Sequence, residues 1–226
     1  MKINNSSPNF KSRNLEIRQA DRICRLVNNE FASISSSKLA QKIKHNPELG
    51  KYIKYDRRLS ENLHTKIRKK VLLIKDDIIE KYKKLAELVK KERLANCDEL
   101  MRLASLVCAA NGIKTQPIIV QKYSYKTLDT ISCQHIALAL IPKGKIRLEG
   151  KMSNFKDTII IDPWLGIADY ASNVSLKYKN VFPQFLNLKE DDEVLLTPVL
   201  DEIKDVITER NFQDIKKEFP EYVIGF

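Results

Sequence analysis

A chain of 226 residues, 43% hydrophobic and 31% charged, is long enough to bury a sizeable core. It has no apolar run near the roughly 18 residues that cross a bilayer, and its six glycines and eight prolines exclude collagenous and many-bladed all-β designs. The net charge of +11 is uneven: residues 1–50 carry +5, 51–93 carry +8 and 94–226 carry −2, which fits the N-terminal half to acidic partners such as an acidic protein face, an anionic membrane surface or nucleic acid.

Residues 1–14 are polar and read as a frayed terminus, whereas Ile17, Ala20, Ile23, Cys24, Val27 and Phe31 recur at helical spacing and predict an amphipathic helix over 15–31. The serine-rich run from Ser33 to Ser37 breaks it and is suited to cap a short second helix through Lys44, stopped at Asn46-Pro47. From Ser60 to Arg93 the set Leu63, Ile67, Val71, Ile74, Ile78, Tyr82, Leu85, Val89 recurs at steps of three or four. That spacing predicts one long helix, or two broken near Asp76-Asp77.

Asn96 is suited to cap the next helix, and Glu99, three residues on, to reach back as the acid of a capping box. The helix then starts at Cys97, continues through Leu100, Leu103, Ala104, Val107 and Cys108, and stops at Asn111-Gly112, a pair suited to a left-handed cap. Beyond Gly112 the period changes. Pro117–Tyr125, Gln134–Ile141 and Thr158–Asp162 predict three neighbouring antiparallel strands. The remainder reads as mixed loop and helix, with a C-terminal helix from Pro198 to Phe219. The architecture expected is α+β: a basic helical region, 1–93, packed with a core, 94–226.

Four cysteines, Cys24, Cys97, Cys108 and Cys133, are too sparse for a disulfide scaffold, and the N-terminus has no apolar signal region. A reducing, cytosolic compartment is expected, reached in the case of an exported protein without a cleavable leader. Of three histidines, only His135 falls in the strand region. Cys97 sits in the first turn of a capped helix, where unsatisfied backbone N–H groups favour a thiolate. Its 11-residue offset from Cys108 amounts to about 20° modulo full turns, so both share the apolar face and the Cys97 thiol faces the sheet. Antiparallel pairing of 134–141 with 158–162 brings His135 beside Asp162. A carboxylate there fixes the imidazole's tautomer and supports the imidazolium formed on taking a thiol proton. Cys97 is thereby the candidate nucleophile, His135 the base and later acid, and Asp162 the orienting group.

On these residues the sequence resembles the papain-like and transglutaminase-like cysteine hydrolase superfamily, in the form found among bacterial effector deamidases and proteases. The resemblance rests on Asn96-Cys97-x-Glu99 opening a helix, on Gln134-His135-Ile136-Ala137-Leu138 opening a strand and on Ile159-Ile160-Ile161-Asp162-Pro163-Trp164 closing the next. The order Cys, His, Asp, with gaps of 38 and 27 residues, is that superfamily's order, and the likeness spans residues 94–170. It implies a papain/transglutaminase-like core, no cofactor, and acyl transfer on protein substrates, by glutamine deamidation, transamidation or peptide cleavage, by a secreted effector acting in a host cell. Trp164 is the candidate wall of a substrate channel. Papain-like enzymes often place a glutamine upstream of the cysteine as oxyanion donor; neither Gln19 nor Gln41 aligns with it. The Arg-Gly-Gly lead-in of arylamine N-acetyltransferases is absent before Cys97.

Two other readings compete. A zinc site from Cys97, Cys108, Cys133 and His135 is disfavoured because Cys97 and Cys108 lie about 16 Å apart along one helix, too far for shared tetrahedral ligation; no metal is expected, and Cys24, Cys108 and Cys133 read as buried thiols, His45 and His64 as surface residues. A non-catalytic module binding nucleic acid or an acidic protein is motivated by Lys51, Lys54, Arg57, Arg58, Lys66, Arg68, Lys69 and Lys70, but Asp76, Asp77, Glu80, Glu87 and Glu92 interrupt the stripe. The expected partner is a protein substrate with an acidic surface.

Overall fold

Two periodicities divide the chain, helical up to Ala110 and alternating from Thr115 onward, and the structure follows them. The computed structural model describes residues 8–31, 33–35, 48, 53–75, 77–123, 130–140, 150–181, 193–198 and 207–225. Helix α1 (Pro8–Glu30) is followed by α2 (Ile53–Asn62), a π-helical turn (Leu63–Arg68), α3 (Lys69–Leu72), α4 (Ile78–Glu92) and α5 (Cys97–Ala110). Strands β1 (Thr115–Tyr123), β2 (Thr130–Leu140), β3 (Gly150–Lys151), β4 (Ile159–Asp162) and β5 (Ile167–Tyr170) come next, then α6 (Ala171–Val181), β6 (Glu193–Pro198) and α7 (Phe212–Glu218). The chain is thus mixed α and β. No helix among the described residues is long and apolar enough to cross a membrane.

The helix-forming signals act largely where they stand. Asp77 accepts a hydrogen bond from the backbone N–H of Glu80 at 3.0 Å and starts α4, so the apolar stripe breaks at the acidic pair rather than running through it. Arg93 ends α4 in the left-handed region, φ 55°. Asn96 and Glu99 form both halves of a capping box at the start of α5, and Gly112, φ 68°, follows its end. Two boundaries differ from expectation. Helix α1 begins at Pro8 rather than at residue 15, because a proline in the first turn forfeits no intrahelical N–H bond. The segment from Ile53 is already helical, seven residues before Ser60. The predicted helix through Lys44 lies outside the described residues.

The sheet is antiparallel throughout, in the order β3-β6-β1-β2-β4-β5. The three expected strands are neighbours in its middle. The C-terminal helix expected from Pro198 to Phe219 is corrected: Pro198 closes strand β6, and α7 covers only residues 212–218. In β6, Val194 and Leu196 are buried while Glu193, Leu195 and Thr197 are half-exposed, a period of two that places one face on the core. Strand β5 and helix α6, in the stretch read from sequence as mixed loop and helix, complete the other edge.

Helix α5 lies at the centre. It is buried on nearly every side from Glu99 to Ala110 and packs on β2 while touching α1, α4 and α7. Residues of α1, α4, α5 and the sheet share one hydrophobic cluster, so helices preceding residue 94 cover the same core as the strands. The approach to α5 is fixed by the N-terminal region as well. Ile34 forms a parallel bridge with Leu94, its N–H donating to the Arg93 carbonyl at 2.8 Å and its own carbonyl accepting from Ala95 at 3.3 Å.

Candidate active site

The β2–β4 register decides which side chains meet. Leu138 pairs with Ile161 and Ala139 with Ile160; extending it by one residue sets Asp162 opposite Ala137, whose side shares a face with His135 two positions earlier. His135 and Asp162 are therefore diagonal neighbours on one face. On the other side of β2, the ladder with β1 shifts just before His135: Val120 pairs with His135, but Lys122 pairs with Ile131, so residues 132–134 stand opposite Gln121 alone. Bulges of this kind re-aim side chains beside functional sites.

The two residues form a close, buried pair. His135 Nε2 and Asp162 Oδ2 are 2.6 Å apart, and both residues are buried, at 4% and 0% exposure. Nε2 is committed to the carboxylate, and Cys97 stands near enough to add to the ring's affinity for its proton. Burial works against a charged imidazole, but the Asp162 carboxylate, and after it Cys97, outweigh that penalty and push the ring up to about 9. The imidazole–carboxylate contact expected from sequence is thus present.

Asp162 is held by more than the histidine. Its Oδ2 also accepts the Tyr178 hydroxyl at 2.8 Å, and its Oδ1 accepts the Leu165 backbone N–H at 3.1 Å. Tyr178 is fully buried on α6, and burial followed by the nearby Asp162 charge holds its phenol well above the ordinary range, so it stays a donor. Three donors on one carboxylate fix its position and compensate the loss of water around a buried charge. The Tyr178 ring also meets the imidazole edge-on, centroids 6.0 Å apart.

Trp164 was expected to wall a channel, and its position is more specific. Its ring lies 5.0 Å from that of His135, and it is not among the residues lining the cleft at Cys97. It is buried over the imidazole and shields it from water. Its Nε1–H donates to Ser35 Oγ at 2.8 Å, and Ser35 Oγ–H donates to Asn96 Oδ1 at 2.9 Å. The loop after α1 thereby ties the tryptophan over the base to the cap of the nucleophile's helix.

Glu99 fills its capping role and a second one. Its Oε2 accepts the Asn96 backbone N–H at 3.0 Å, while the Arg68 guanidinium grips both its oxygens, Nε to Oε1 at 2.6 Å and Nη2 to Oε2 at 3.2 Å. A carboxylate that is 2% exposed on an otherwise apolar helix is satisfied this way. Arg68, Cys97 and Glu99 all border a cleft of about 400 Å³, with Ile67, Val71, Leu72, Leu85 and Ile136 on its apolar side and Asp98 and Arg102 on its polar one. Cys97 is half-buried, so the thiol both meets His135 and opens onto this cleft, rather than only facing the sheet.

The other sulfurs are set apart from chemistry. Burial, then the nearby Asp162 and Asp21 charges, push the Cys24 thiol up to about 12, and burial alone raises Cys108. The Cys133 side chain and His45 lie outside the described residues, and His64 is exposed on the π-helical turn. Among the described residues no group of three or more His, Cys, Asp or Glu is arranged to hold a metal. Part of the basic stripe is engaged internally: Lys66 pairs with Glu92 at 3.0 Å, besides Arg68 with Glu99.

Sequence reasoning missed Ser35, Arg68 and Tyr178. Tyr178 carried a readable signal, since Ala171, Val174, Ser175 and Tyr178 are buried at spacings of three, four and seven along α6. Ser35 and Arg68 carried none, being a serine within a serine run and one cation among many. Comparison with protein-family models, with curated proteins and with solved structures gave no match.

Proposed function

We propose that this protein is a cysteine-dependent acyl-transfer enzyme acting on amides of protein substrates. The observation that carries the proposal is the buried His135 bonded to Asp162 at 2.6 Å through Nε2, with Cys97 near enough to add to the ring's affinity for its proton and on the wall of a cleft of about 400 Å³. Protein amides as the substrate class follow from the sequence resemblance.

In the forward half-reaction, with its proton already held on His135 Nδ1, Cys97 adds through Sγ to the amide carbon, moving the carbonyl π pair onto oxygen. Collapse of that adduct breaks the C–N bond, the leaving nitrogen takes the proton back from Nδ1, and a thioester remains on Cys97. A water molecule, or an amine for transamidation, gives its proton to His135 and attacks the thioester. Collapse then breaks the C–S bond and releases the Cys97 sulfur, the proton remaining on His135. Asp162 orients the ring throughout; Tyr178, Leu165 N–H and the Trp164 cover keep it and the ring in place.

The test is intact-mass analysis of candidate target proteins incubated with wild type and with Cys97→Ala. A gain of about one dalton in the target reports glutamine deamidation, fragments report peptide cleavage and higher adducts report transamidation. Wild type alone is expected to produce one of them. Identical behaviour of the two proteins on every modified target would remove Cys97 from the reaction.

A further inference from the structure

The site lacks one component of acyl-transfer chemistry, a donor for the oxygen that becomes negative when sulfur adds. Besides the Cys97 backbone N–H at its helix start, three cations border the cleft, Arg68, Lys81 and Arg102, and Arg102 is bonded to Asp98 at 3.1 Å. Arg68 lies on the cleft wall with Cys97, at the end of a π-helical turn, Leu63–Arg68. Such turns insert a residue into a helix and commonly mark functional sites. Here Ile67 is fully buried while its neighbour Arg68 borders the cleft.

The guanidinium is held in advance. Its Nε and Nη2 are committed to the two oxygens of Glu99, which itself caps the nucleophile's helix through the Asn96 N–H. Its Nη1 has no hydrogen-bond partner among the described residues. The planar fork therefore leaves an N–H edge available while its orientation is fixed from the nucleophile's own helix.

Resting on the acyl-transfer reading, we infer that Arg68 is a catalytic residue whose free guanidinium edge donates to the substrate carbonyl oxygen as Cys97 attacks it. The role is one that a donor fixed in advance performs well, because it needs no reorganisation when the charge appears. It also gives the basic N-terminal region a direct part in chemistry.

Two small reagents test this without a known substrate. With p-nitrophenyl acetate, Sγ adds to the carbonyl carbon, the ester C–O bond breaks, p-nitrophenolate leaves and an acetyl thioester remains, through an oxyanion. With iodoacetamide, Sγ displaces iodide from a saturated carbon and no oxyanion forms. Arg68→Met alone would strand the buried Glu99, so the comparison is Glu99→Gln against the double variant Glu99→Gln/Arg68→Met, with circular dichroism checking that both fold. The expected result is a fall of about 10²-fold in Cys97 acylation between the two, with alkylation changed less than about threefold, and partial recovery of acylation in Glu99→Gln/Arg68→Lys. Parallel loss of both rates would make Arg68 a structural residue only, and unchanged acylation would also overturn the inference. Failure of wild-type Cys97 to be acylated at all would instead sink the acyl-transfer reading on which it depends.

Discussion

Replacing Asp162 with Asn tests the electrostatics of the site most directly. The change keeps shape and leaves an amide oxygen for the Leu165 N–H now bonded to Oδ1 at 3.1 Å. It turns Oδ2, which accepts from His135 and Tyr178, into an NH₂ that can only donate. The ring must then present Nε2 as an acceptor and carry its proton on Nδ1, the nitrogen needed to receive the thiol proton. In wild type the imidazole is raised from 6.5 to about 9 against the opposition of burial, which corresponds to about 3 kcal/mol in favour of the charged ring. With the carboxylate gone, burial is left as the dominant influence, and the ring should titrate below its ordinary 6.5. The assay is NMR titration of ¹³C-labelled histidine, with the His135 signal assigned from His135→Gln. Wild type should lose its imidazolium near pH 9 and Asp162→Asn below 6.5, accompanied by a fall in Cys97 acylation of about 10³- to 10⁴-fold. An Asp162→Asn protein that folds normally and still titrates near 9 would refute the account of what charges this histidine.

Other outcomes follow from the same contacts. Limited iodoacetamide treatment at neutral pH should label Cys97 well before Cys24 and Cys108, both buried and raised, as read by peptide mapping; early labelling of Cys24 would contradict the packing of α1 on β4. Tyr178→Phe removes one donor from a buried carboxylate, and denaturant unfolding should show a loss of about 1.5–3 kcal/mol, with acylation reduced but not abolished because Leu165 N–H and His135 remain. Stability should also depend on pH in a defined direction. A histidine raised on folding contributes fully below the unfolded value of 6.5 and loses that contribution as pH rises through about 9. The Tm of wild type should therefore fall across that window, and His135→Gln should flatten the decline; an equal slope in both proteins would place the pH sensitivity elsewhere.

Local physics made much of the site legible before any coordinates. The capping box at Asn96 and Glu99 involves residues three apart, and the stripe that turns Cys97 inward repeats every three or four, so both follow from backbone geometry alone. The pairing that brings His135 to Asp162 needed only the alternation of two strands and the choice of antiparallel neighbours. What stayed hidden depended on contacts between segments remote in sequence. Ser35 reaches Trp164 across 129 residues and Asn96 across 61, Arg68 reaches Glu99 across 31, and strand β6 is recognisable as a strand only once β1 offers it an edge. Those side chains look like any surface serine or cation in the linear order. Their roles arise because a buried carboxylate, a helix start and an indole N–H each need a partner, and only packing determines which residue stands close enough to supply it.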